Sequence, residues 1–359
     1  VFEKSLSLIP YDLLTSGRGE RCFTPSNEVG TCVRLEDCQS LLALGQKPAQ
    51  SRATYYLEKS TCKTDNLKCC PNRDLKNPSR PTSSTQNSRM KLLPSDCGKR
   101  EVAPLQRKVV GGEPAILGEY PWIVALGFRN QFIADAVPKW SCAGTLITDR
   151  HVVTAAHCAR NARVGELNLD ENVQDGASPE DIPIKKVIVH PSYDRGLIVS
   201  SYANDIAMAV LERSVSFSRN VGPICLPVLQ ENRNRLFEGQ LSQIAGWGSK
   251  EFRGPVTLEL LRAQLPVVST AQCKTAYAEE RSAVIDERVI CAGIDTGAID
   301  TCQGDSGGPL MTELNDTFNL IGVVSFGIGC GKANTPGVYT RTTAFLDWIL
   351  DVIENQSTR

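Results

Sequence analysis

Residues 300–309 read Asp-Thr-Cys-Gln-Gly-Asp-Ser-Gly-Gly-Pro, and this stretch decides how the rest of the chain is interpreted. Ser306 follows an aspartate and precedes two glycines. Glycine permits a tight turn and a close approach of the backbone, so the N–H groups of Gly304 and Ser306 can point at one place beside the serine hydroxyl. Two such N–H groups form an oxyanion hole next to a nucleophile. Taken alone, the stretch also fits an ordinary surface turn, so the choice depends on finding a base and an acid elsewhere.

A base and an acid occur in two other distinctive stretches. His157 lies near the end of Val152-Val-Thr-Ala-Ala-His-Cys158, where a lone histidine is more often structural. Asp205 opens an apolar run, where a lone aspartate would be a turn residue. Together with Ser306 they give the chain order His, Asp, Ser, which is one of the known orders of a catalytic triad. The combination favours an active site over three unrelated structural residues.

The composition restricts the class of protein. The 359 residues carry a net charge of −1, so neither nucleic acid nor a membrane surface is expected as the main partner. No apolar run approaches the ~20 residues of a membrane-spanning helix. The start, Val1-Phe-Glu-Lys, lacks the basic segment and long apolar core of a signal peptide. We therefore expect a mature secreted chain from which the signal has been removed.

The cysteines point to an oxidising, extracellular compartment, because fourteen is an even and high number for this length. Zinc binding is the weaker alternative, since the chain has three histidines and no repeated Cys-x-x-Cys. Six cysteines between Cys22 and Cys70 predict a small module held by disulfides. Spacing alone leaves fifteen pairings open. Only a bridge between the neighbours Cys69 and Cys70 is disfavoured, because it would strain the peptide that joins them.

A linker is expected after this module. Residues 72–96 are rich in Pro, Ser and Asn and poor in apolar residues, which is typical of a flexible segment. Cys97 and the stretch Gln106-Arg-Lys-Val-Val-Gly-Gly-Glu113 come next. An exposed Arg-Lys pair on a flexible segment is a good site for a trypsin-like protease. Taken alone, the dibasic pair is weak evidence for a cut at this place.

Short apolar runs separated by turns dominate the chain from Val109 onward, for example residues 121–126, 144–148, 185–189, 206–211 and 320–325. Many short strands with Gly, Pro and Asn between them predict an all-β sandwich or barrel. Only residues 343–353 have apolar side chains at helical spacing. The sequence therefore predicts an all-β domain that ends in a helix.

Residues 109 to about 352 resemble the trypsin/chymotrypsin family of serine proteases. The resemblance rests on motifs in the family's order: Val109-Val-Gly-Gly112, Thr154-Ala-Ala-His-Cys158, Asn204-Asp-Ile-Ala207, Gly246-Trp-Gly248, Gly304-Asp-Ser-Gly-Gly-Pro309 and Pro336-Gly-Val-Tyr339. It implies two packed six-stranded β-barrels with the triad in the cleft between them, and a C-terminal helix.

Residues 21–71 resemble the clip domain that precedes arthropod serine proteases, because the six-cysteine pattern ends in Cys69-Cys-Pro71. Some other small secreted knot is the alternative. The chain then divides into an N-terminal segment, a clip domain, a linker with an activation segment, and a protease domain: 1–20, 21–71, 72–108 and 109–359. The two resemblances imply seven disulfides: Cys22–Cys69, Cys32–Cys62, Cys38–Cys70, Cys97–Cys225, Cys142–Cys158, Cys273–Cys291 and Cys302–Cys330.

The catalytic roles implied by the resemblance agree with the chemistry of the residues. Ser306 is the nucleophile, and His157 takes its proton and later delivers it to the leaving amine. Asp205 fixes the imidazole tautomer and stabilises its positive charge. The N–H groups of Gly304 and Ser306 form the oxyanion hole. Ser325 is expected to donate a hydrogen bond to Asp205.

Substrate selection is expected to depend on Asp300. By resemblance it lies at the floor of the primary pocket, between Gly327 and Gly337, and Thr301 and Ser325 complete the substrate-binding set. A buried carboxylate needs a cationic partner. Arginine can bind it through two hydrogen bonds and lysine as a point charge, so cleavage after Arg or Lys is expected.

The resemblance also implies an activation step. A cut after Lys108 would free the α-amino group of Val109, which in this family inserts and pairs with the residue that corresponds to Asp305. That buried pair shapes the oxyanion hole and the pocket, so the uncut chain is expected to be a poorly active zymogen. A bridge from Cys97 to Cys225 would keep the two pieces together.

Two accessory features are expected. Residues 164–170 resemble the start of a calcium loop, in which Glu166, Glu180 and the carbonyl of Asn168 could be ligands, although a plain acidic loop is the alternative. No cofactor is expected to be required for catalysis. Asn315 and Asn355 begin glycosylation sequons.

The resemblance implies partners of three kinds: an upstream activating protease, a downstream pro-protein substrate and a serpin-type inhibitor. The expected setting is an extracellular cascade of innate immunity, clotting or melanisation, and venom is possible. An inactive homologue that acts as an adaptor is the main rival, and the intact Ser306, His157 and Asp205 argue against it. In a third interpretation the clip is the functional part and the protease is its carrier.

Overall fold

A computed structural model describes most of the chain: residues 21–23, 29–35, 38, 41, 60, 62, 67–71, 89–102, 112–128, 139–158, 161–170, 172–193, 202–249, 254–280, 282–297, 304–328 and 332–357. The chain divides into two compact units, Val1–Gln86 and Asn87–Arg359. No helix among these residues is long and apolar enough to cross a membrane.

The first unit contains a three-stranded antiparallel sheet of β1 (Arg21–Phe23), β2 (Val29–Val33) and β3 (Lys68–Pro71), in that order. Its described core is small and half cysteine, with Val33, Cys38, Leu41 and Cys70. The structure forms Cys32–Cys62 and Cys38–Cys70, two of the three pairs that the resemblance implies. Cys69 is also disulfide-bonded, and the side chain of Cys22 lies outside the described residues.

The first barrel of the second unit has six strands that close in the order β10-β7-β6-β5-β8-β9. Their interior is dense because the strands carry Val, Ile, Leu, Met and Ala, many of them fully buried. The strands are β5 (Ile123–Phe128), β6 (Lys139–Leu146), β7 (His151–Thr154), β8 (Asn161–Val164), β9 (Glu180–Val189) and β10 (Ala207–Leu211).

The second barrel has the order β11-β14-β15-β16-β13-β12 and closes through β11 and β12. A short strand, β4 (Glu113–Pro114), is added to β12 at its outer edge. The two six-stranded barrels confirm the predicted fold. The strands are β11 (Leu241–Gly246), β12 (Leu261–Val268), β13 (Val289–Ala292), β14 (Pro309–Leu314), β15 (Thr317–Phe326) and β16 (Gly337–Arg341).

Helices are few among the described residues: α1 (Gln230–Arg233), α2 (Thr270–Ala276) and α3 (Leu346–Ser357). The predicted C-terminal helix is present as α3, which a single 3-10 turn, Thr342–Phe345, precedes. Its apolar face packs into the core through side chains at helical spacing: Leu346, Ile349, Val352 and Ile353.

Residues 89–102, called the strap below, belong to the second unit, although the sequence predicts a flexible linker as far as residue 96. Leu92 and Leu93 pack against the first barrel's core, and Cys97 is bonded to Cys225. Gly98 (φ +64°) fits so closely against Phe318 that a Cβ there would collide with the Phe318 carbonyl. These contacts depend on residues far along the chain, so the local polar composition does not reveal them.

The chain is fixed again at β4, after residues 103–111, which lie outside the described residues. Glu113 pairs with Arg262 of β12 at 3.3 Å, and Arg262 also pairs with buried Glu119 at 3.2 Å. Arg100 of the strap lies 3.6 Å from the same Glu119 carboxylate. One group of charges therefore holds the chain on both sides of residues 103–111.

Candidate active site

His157 and Asp205 come together because they follow the same end of two paired strands. Ala207 of β10 pairs with Thr154 of β7 in antiparallel register. Asp205 lies two residues before one partner and His157 lies three residues after the other, so both side chains meet beyond that edge. Nδ1 of His157 is 2.9 Å from Oδ2 of Asp205.

Asp205 is fully buried, and the described residues supply four donors to its carboxylate. The N–H groups of Ala156 and His157 donate to Oδ1 at 2.8 and 3.3 Å. The Ser325 hydroxyl donates to Oδ2 at 2.7 Å, beside the imidazole. Because Oδ2 accepts from Nδ1–H, the proton of the neutral imidazole is kept on Nδ1 and Nε2 is left as the basic atom.

The electrostatics of His157 suit a base. Burial lowers the pKa of the imidazole, but the hydrogen bond to Asp205 and the charge of that carboxylate outweigh burial, and the net effect raises the pKa of His157 above its usual value. The imidazole can therefore accept a proton readily near neutral pH.

The second barrel contributes to the same carboxylate. Ser325 is on β15, and Thr340 of the neighbouring strand β16 donates to the backbone carbonyl of Asp205 at 2.7 Å. The sequence analysis missed Thr340, because its partner is 135 residues away and no local pattern marks it.

Ser306 lies in a tight turn between two glycines with positive φ, Gly304 at 102° and Gly307 at 81°. The turn is pinned to the first barrel, because the Ala143 N–H donates to the Ser306 carbonyl at 2.8 Å. That carbonyl oxygen is 3.5 Å from Sγ of Cys158, the residue after His157. The turn that carries Ser306 therefore lies beside the residue that follows His157, next to the His157–Asp205 pair.

Asp305, the residue before the nucleophile, points at the Gly246-Trp-Gly248 stretch. The Gly248 N–H donates to Oδ1 at 2.8 Å. A Cβ on either glycine would collide with the Asp305 carboxylate. The requirement for both glycines is thus a direct consequence of where Asp305 points, and the sequence alone does not reveal it.

The predicted pocket is only partly described. Gly327 follows β15 and Gly337 opens β16, and these strands pair at Phe326 and Val338, so the two glycines lie side by side. Nearby, the exposed Tyr202 stacks on Phe326 with ring centroids 4.8 Å apart, an aromatic pair that the sequence analysis missed. The predictions for Asp300, Thr301, Lys108, Val109 and Cys302–Cys330 lie outside the described residues.

The remaining predicted disulfides of this unit are formed: Cys97–Cys225, Cys142–Cys158 and Cys273–Cys291. None of the described cysteines is free. The Cys142–Cys158 bridge lies directly beside His157, which fixes the backbone that carries the base.

Both predicted carboxylate ligands of calcium contact arginines. Glu166 is buried, burial raises its pKa, and its carboxylate faces the Arg163 guanidinium at 3.3 Å. Glu180 forms an ion pair with Arg213. This donor set does not fit calcium as predicted, and calcium enters no step below.

Comparisons with known proteins agree with this geometry. The family model "Trypsin" matches residues 109–349, and "Regulatory CLIP domain of proteinases" matches residues 22–70. Similar proteins include venom serine protease Bi-VSP of Bombus ignitus, 42% identical over 95% of each chain. The proclotting enzyme of Tachypleus tridentatus is 33% identical, with 92% of this chain and 89% of that protein covered. Melanization protease 1 of Drosophila melanogaster is 32% identical, with 91% and 92% covered.

Proposed function

Since the chain belongs to the clip-domain serine proteases of the trypsin family, we propose that it is the zymogen of a secreted endopeptidase that cleaves after arginine or lysine. The observation that carries the catalytic part is the 2.9 Å contact between His157 and a fully buried Asp205. Such a pair leaves one imidazole nitrogen free to act as a base.

Peptide cleavage follows from three groups. The Ser306 hydroxyl attacks the carbonyl carbon of the scissile bond while Nε2 of His157 takes its proton. Asp205 accepts the Nδ1–H bond throughout and stabilises the imidazolium. His157 then gives the proton to the leaving amine, and a water molecule repeats the sequence to release the acyl group from Ser306.

The backbone of the turn stabilises the oxyanion. The N–H groups of Gly304 and Ser306 are proposed to donate to the carbonyl oxygen as it becomes negative. Gly304 (φ +102°) packs against Gly248, and a side chain there would be strained. In a related case, loss of one such donor raises the barrier by about 3 kcal/mol.

Specificity for Arg or Lys rests on Asp300. The neighbouring positions support the proposal, because Gly327 and Gly337 lie side by side and have no side chains to narrow the pocket. Together with Thr301 and Ser325 they would line it. A long cationic side chain can then reach the Asp300 carboxylate.

Activation is proposed to proceed by a cut after Lys108, followed by pairing of the Val109 amino group with Asp305. Distances in the sheet support this. Leu261 of β12 pairs with Pro114 of β4 on one side and with Gly246 of β11 on the other. Since Asp305 lies against Gly246, its carboxylate is about two strand spacings, or about 10 Å, from Pro114. An extended arm of residues 109–113 spans up to about 17 Å, which is enough.

The setting is proposed to be an extracellular cascade. Relatives named proclotting enzyme, melanization protease 1 and venom protease support immunity, clotting, melanisation or venom as the context. The partners would be an activating protease, a pro-protein substrate and a serpin-type inhibitor, with the clip domain binding one of them. Asn315, at the exposed tip of the β14–β15 hairpin, and exposed Asn355 of α3 are proposed glycosylation sites.

The test is direct. The full chain is nicked with a trypsin-like protease, and its turnover of an Arg-ended chromogenic peptide is compared with that of a Phe-ended one and with a Ser306→Ala control. We expect the nicked chain to begin at Val109 and to prefer the Arg-ended peptide. If the nicked chain turns the peptide over no faster than Ser306→Ala, the proposal that it is an enzyme is wrong. If the uncut chain is as active as the nicked chain, the proposal that it is a zymogen is wrong.

A further inference from the structure

Asn204, the residue before Asp205, is held from two sides. It has a left-handed backbone conformation (φ 59°), which a non-glycine residue adopts at some cost. Its side-chain Nδ2 donates to the Ser192 carbonyl at 2.8 Å. Its Oδ1 accepts from Nη1 of Arg288 at 3.1 Å. The two bonds compensate for the unfavourable backbone and hold the peptide that leads into Asp205.

Arg288 is itself held in place. Its Nε lies 3.0 Å from each carboxylate oxygen of Asp286, and Nη2 pairs with the same carboxylate. The Arg288 N–H also donates to Asp286 at 2.9 Å. The bidentate contact with Asp286 fixes the orientation of the guanidinium. Its Nη1 therefore points at Asn204.

The contact crosses between the two barrels. Asn204 precedes β10 of the first barrel, and Arg288 precedes β13 of the second. The Arg288 carbonyl accepts from the N–H of Arg341 at 2.8 Å, which ties it to β16. β16 also carries Thr340, the donor to the carbonyl of Asp205. The backbone on both sides of the Asp205 Cα is therefore held by the same pair of second-barrel strands.

We propose that Arg288 is a positioning residue for the peptidase reaction, and this role rests on the proposed function. By fixing Asn204, it sets the backbone of Asp205 so that the carboxylate meets Nδ1 of His157 at hydrogen-bonding distance. It touches neither substrate nor the reacting atoms. Arg288, beside the second barrel, acts on the alignment of His157, which follows β7 of the first barrel.

The experiment is a double-mutant cycle of Arg288→Met and Asn204→Gly in the activated full chain, with kcat, KM and the pH profile measured on the Arg-ended peptide. Glycine tolerates the left-handed backbone, so Asn204→Gly removes the amide with its two hydrogen bonds, to Ser192 and from Arg288, without straining the backbone. We expect each single change to lower kcat about tenfold with KM unchanged. The double change should lower kcat no further than Asn204→Gly alone, since that variant already lacks the contact that Arg288→Met breaks.

The pH profile separates alignment from stability. A looser Asp205–His157 contact lowers the pKa of His157, so the acid limb of kcat/KM should move to lower pH in both single variants. Arg288→Lys can still donate one bond to Asn204 and should retain more of kcat than Arg288→Met. Arg213→Met, which breaks an exposed ion pair with Glu180 elsewhere in the first barrel, is the matched control and should change neither quantity.

Three outcomes would overturn the role. Unchanged kcat and acid limb in Arg288→Met, with a lower unfolding midpoint, would make the contact merely structural. Additive losses in the cycle would show that Arg288 does not act through Asn204. If Arg288→Met does not fold, the test falls on Asn204→Gly. An acid limb at the wild-type pH in that variant would also contradict the positioning role. A wild-type chain as inactive as Ser306→Ala would instead refute the proposed function, which distinguishes the two failures.

Discussion

The two barrels hold their key aspartates in different ways. Asp205, beside the first barrel, is fully buried, and four described donors surround its carboxylate. Asp305, beside the second, is partly exposed and lies against the backbone of two glycines, Gly246 and Gly248. None of the four donors to Asp205 is removed by a cut at Lys108, whereas Asp305 lies within reach of the amino group that the cut would release.

The difference teaches how one cut can control an active site. The base and its orienting acid are assembled by contacts that depend only on folding. The turn that carries the nucleophile and the oxyanion donors is adjacent to the aspartate that the new N-terminus is proposed to bind. The proposed cut then needs to change only the turn that carries Ser306. The His157–Asp205 pair is already formed before the cut.

The strongest test of the first-barrel side is Asp205→Asn. The amide would present an N–H where Nδ1–H of His157 needs an acceptor, which favours the wrong tautomer. We expect kcat on the Arg-ended peptide to fall about 10⁴-fold, the size of the effect in the template triad. The unfolding midpoint serves as the control for folding. A fall of less than tenfold would show that Asp205 does not orient the base.

The strongest test of the second-barrel side is Gly248→Ala. The new Cβ would collide with the Asp305 carboxylate and displace the turn of Gly304 and Ser306. We expect kcat/KM of the nicked chain to fall about 100-fold, the scale for loss of an oxyanion donor. Gly222→Ala is the matched control, because its Cβ would meet nothing closer than 3.7 Å. Equal activity of the two variants would contradict this account of Asp305.

The acid limb of the pH profile reports on the His157–Asp205 pair. His157 must be neutral to take the proton, and its pKa is raised above 6.5 by Asp205 despite burial. Activity should therefore be full above that pKa and be lost as pH falls through it, tenfold per unit, with a midpoint above 6.5. Plotting log kcat/KM against pH measures this midpoint. A midpoint below 6.5 would mean that burial outweighs the carboxylate.

Ser325→Ala is expected to have the smallest effect. It tests how much the hydrogen bond from the second barrel contributes to orienting Asp205. It removes one of the four donors to Asp205 and leaves three in place. We expect kcat to fall about three- to tenfold, the value of one hydrogen bond. Buried Ser242, whose hydroxyl has no hydrogen-bond partner among the described residues, provides the control Ser242→Ala. No difference between the two would show that the Asp205 carboxylate is oriented without the Ser325 donor.

The fold and the triad are predictable from the sequence because their signals are local. His157, Asp205 and Ser306 each stand in a short distinctive motif, and short apolar runs mark the strands. Contacts between distant residues have no such signal. Arg288 and Asn204 are 84 positions apart, and nothing near either one indicates the other. The strap looks like a linker because Leu92 and Leu93 are its few apolar anchors, and they act only once the first barrel has formed.

The predicted calcium loop is a different case. Its first residues resemble a ligand set, but the partner of each carboxylate is decided by three-dimensional neighbours. Arg163 faces Glu166 and Arg213 faces Glu180. Both arginines lie within ordinary-looking sequence, so the resemblance of one short stretch is insufficient to predict a metal site.

The anchoring of β4 would give the proposed activating cut a strict register. Because Glu113 and Pro114 are fixed, the arm in front of them has a set length. Arg107 and Lys108 offer neighbouring bonds to the same class of protease. A cut one bond early would leave Lys108 ahead of Val109, carry the amino group about 3.5 Å further along the chain and add a second charge beside the glycines. The products of cuts after Arg107 and after Lys108 would have nearly equal mass but different activity. The fixed length of the arm would therefore select for a protease that cuts after Lys108.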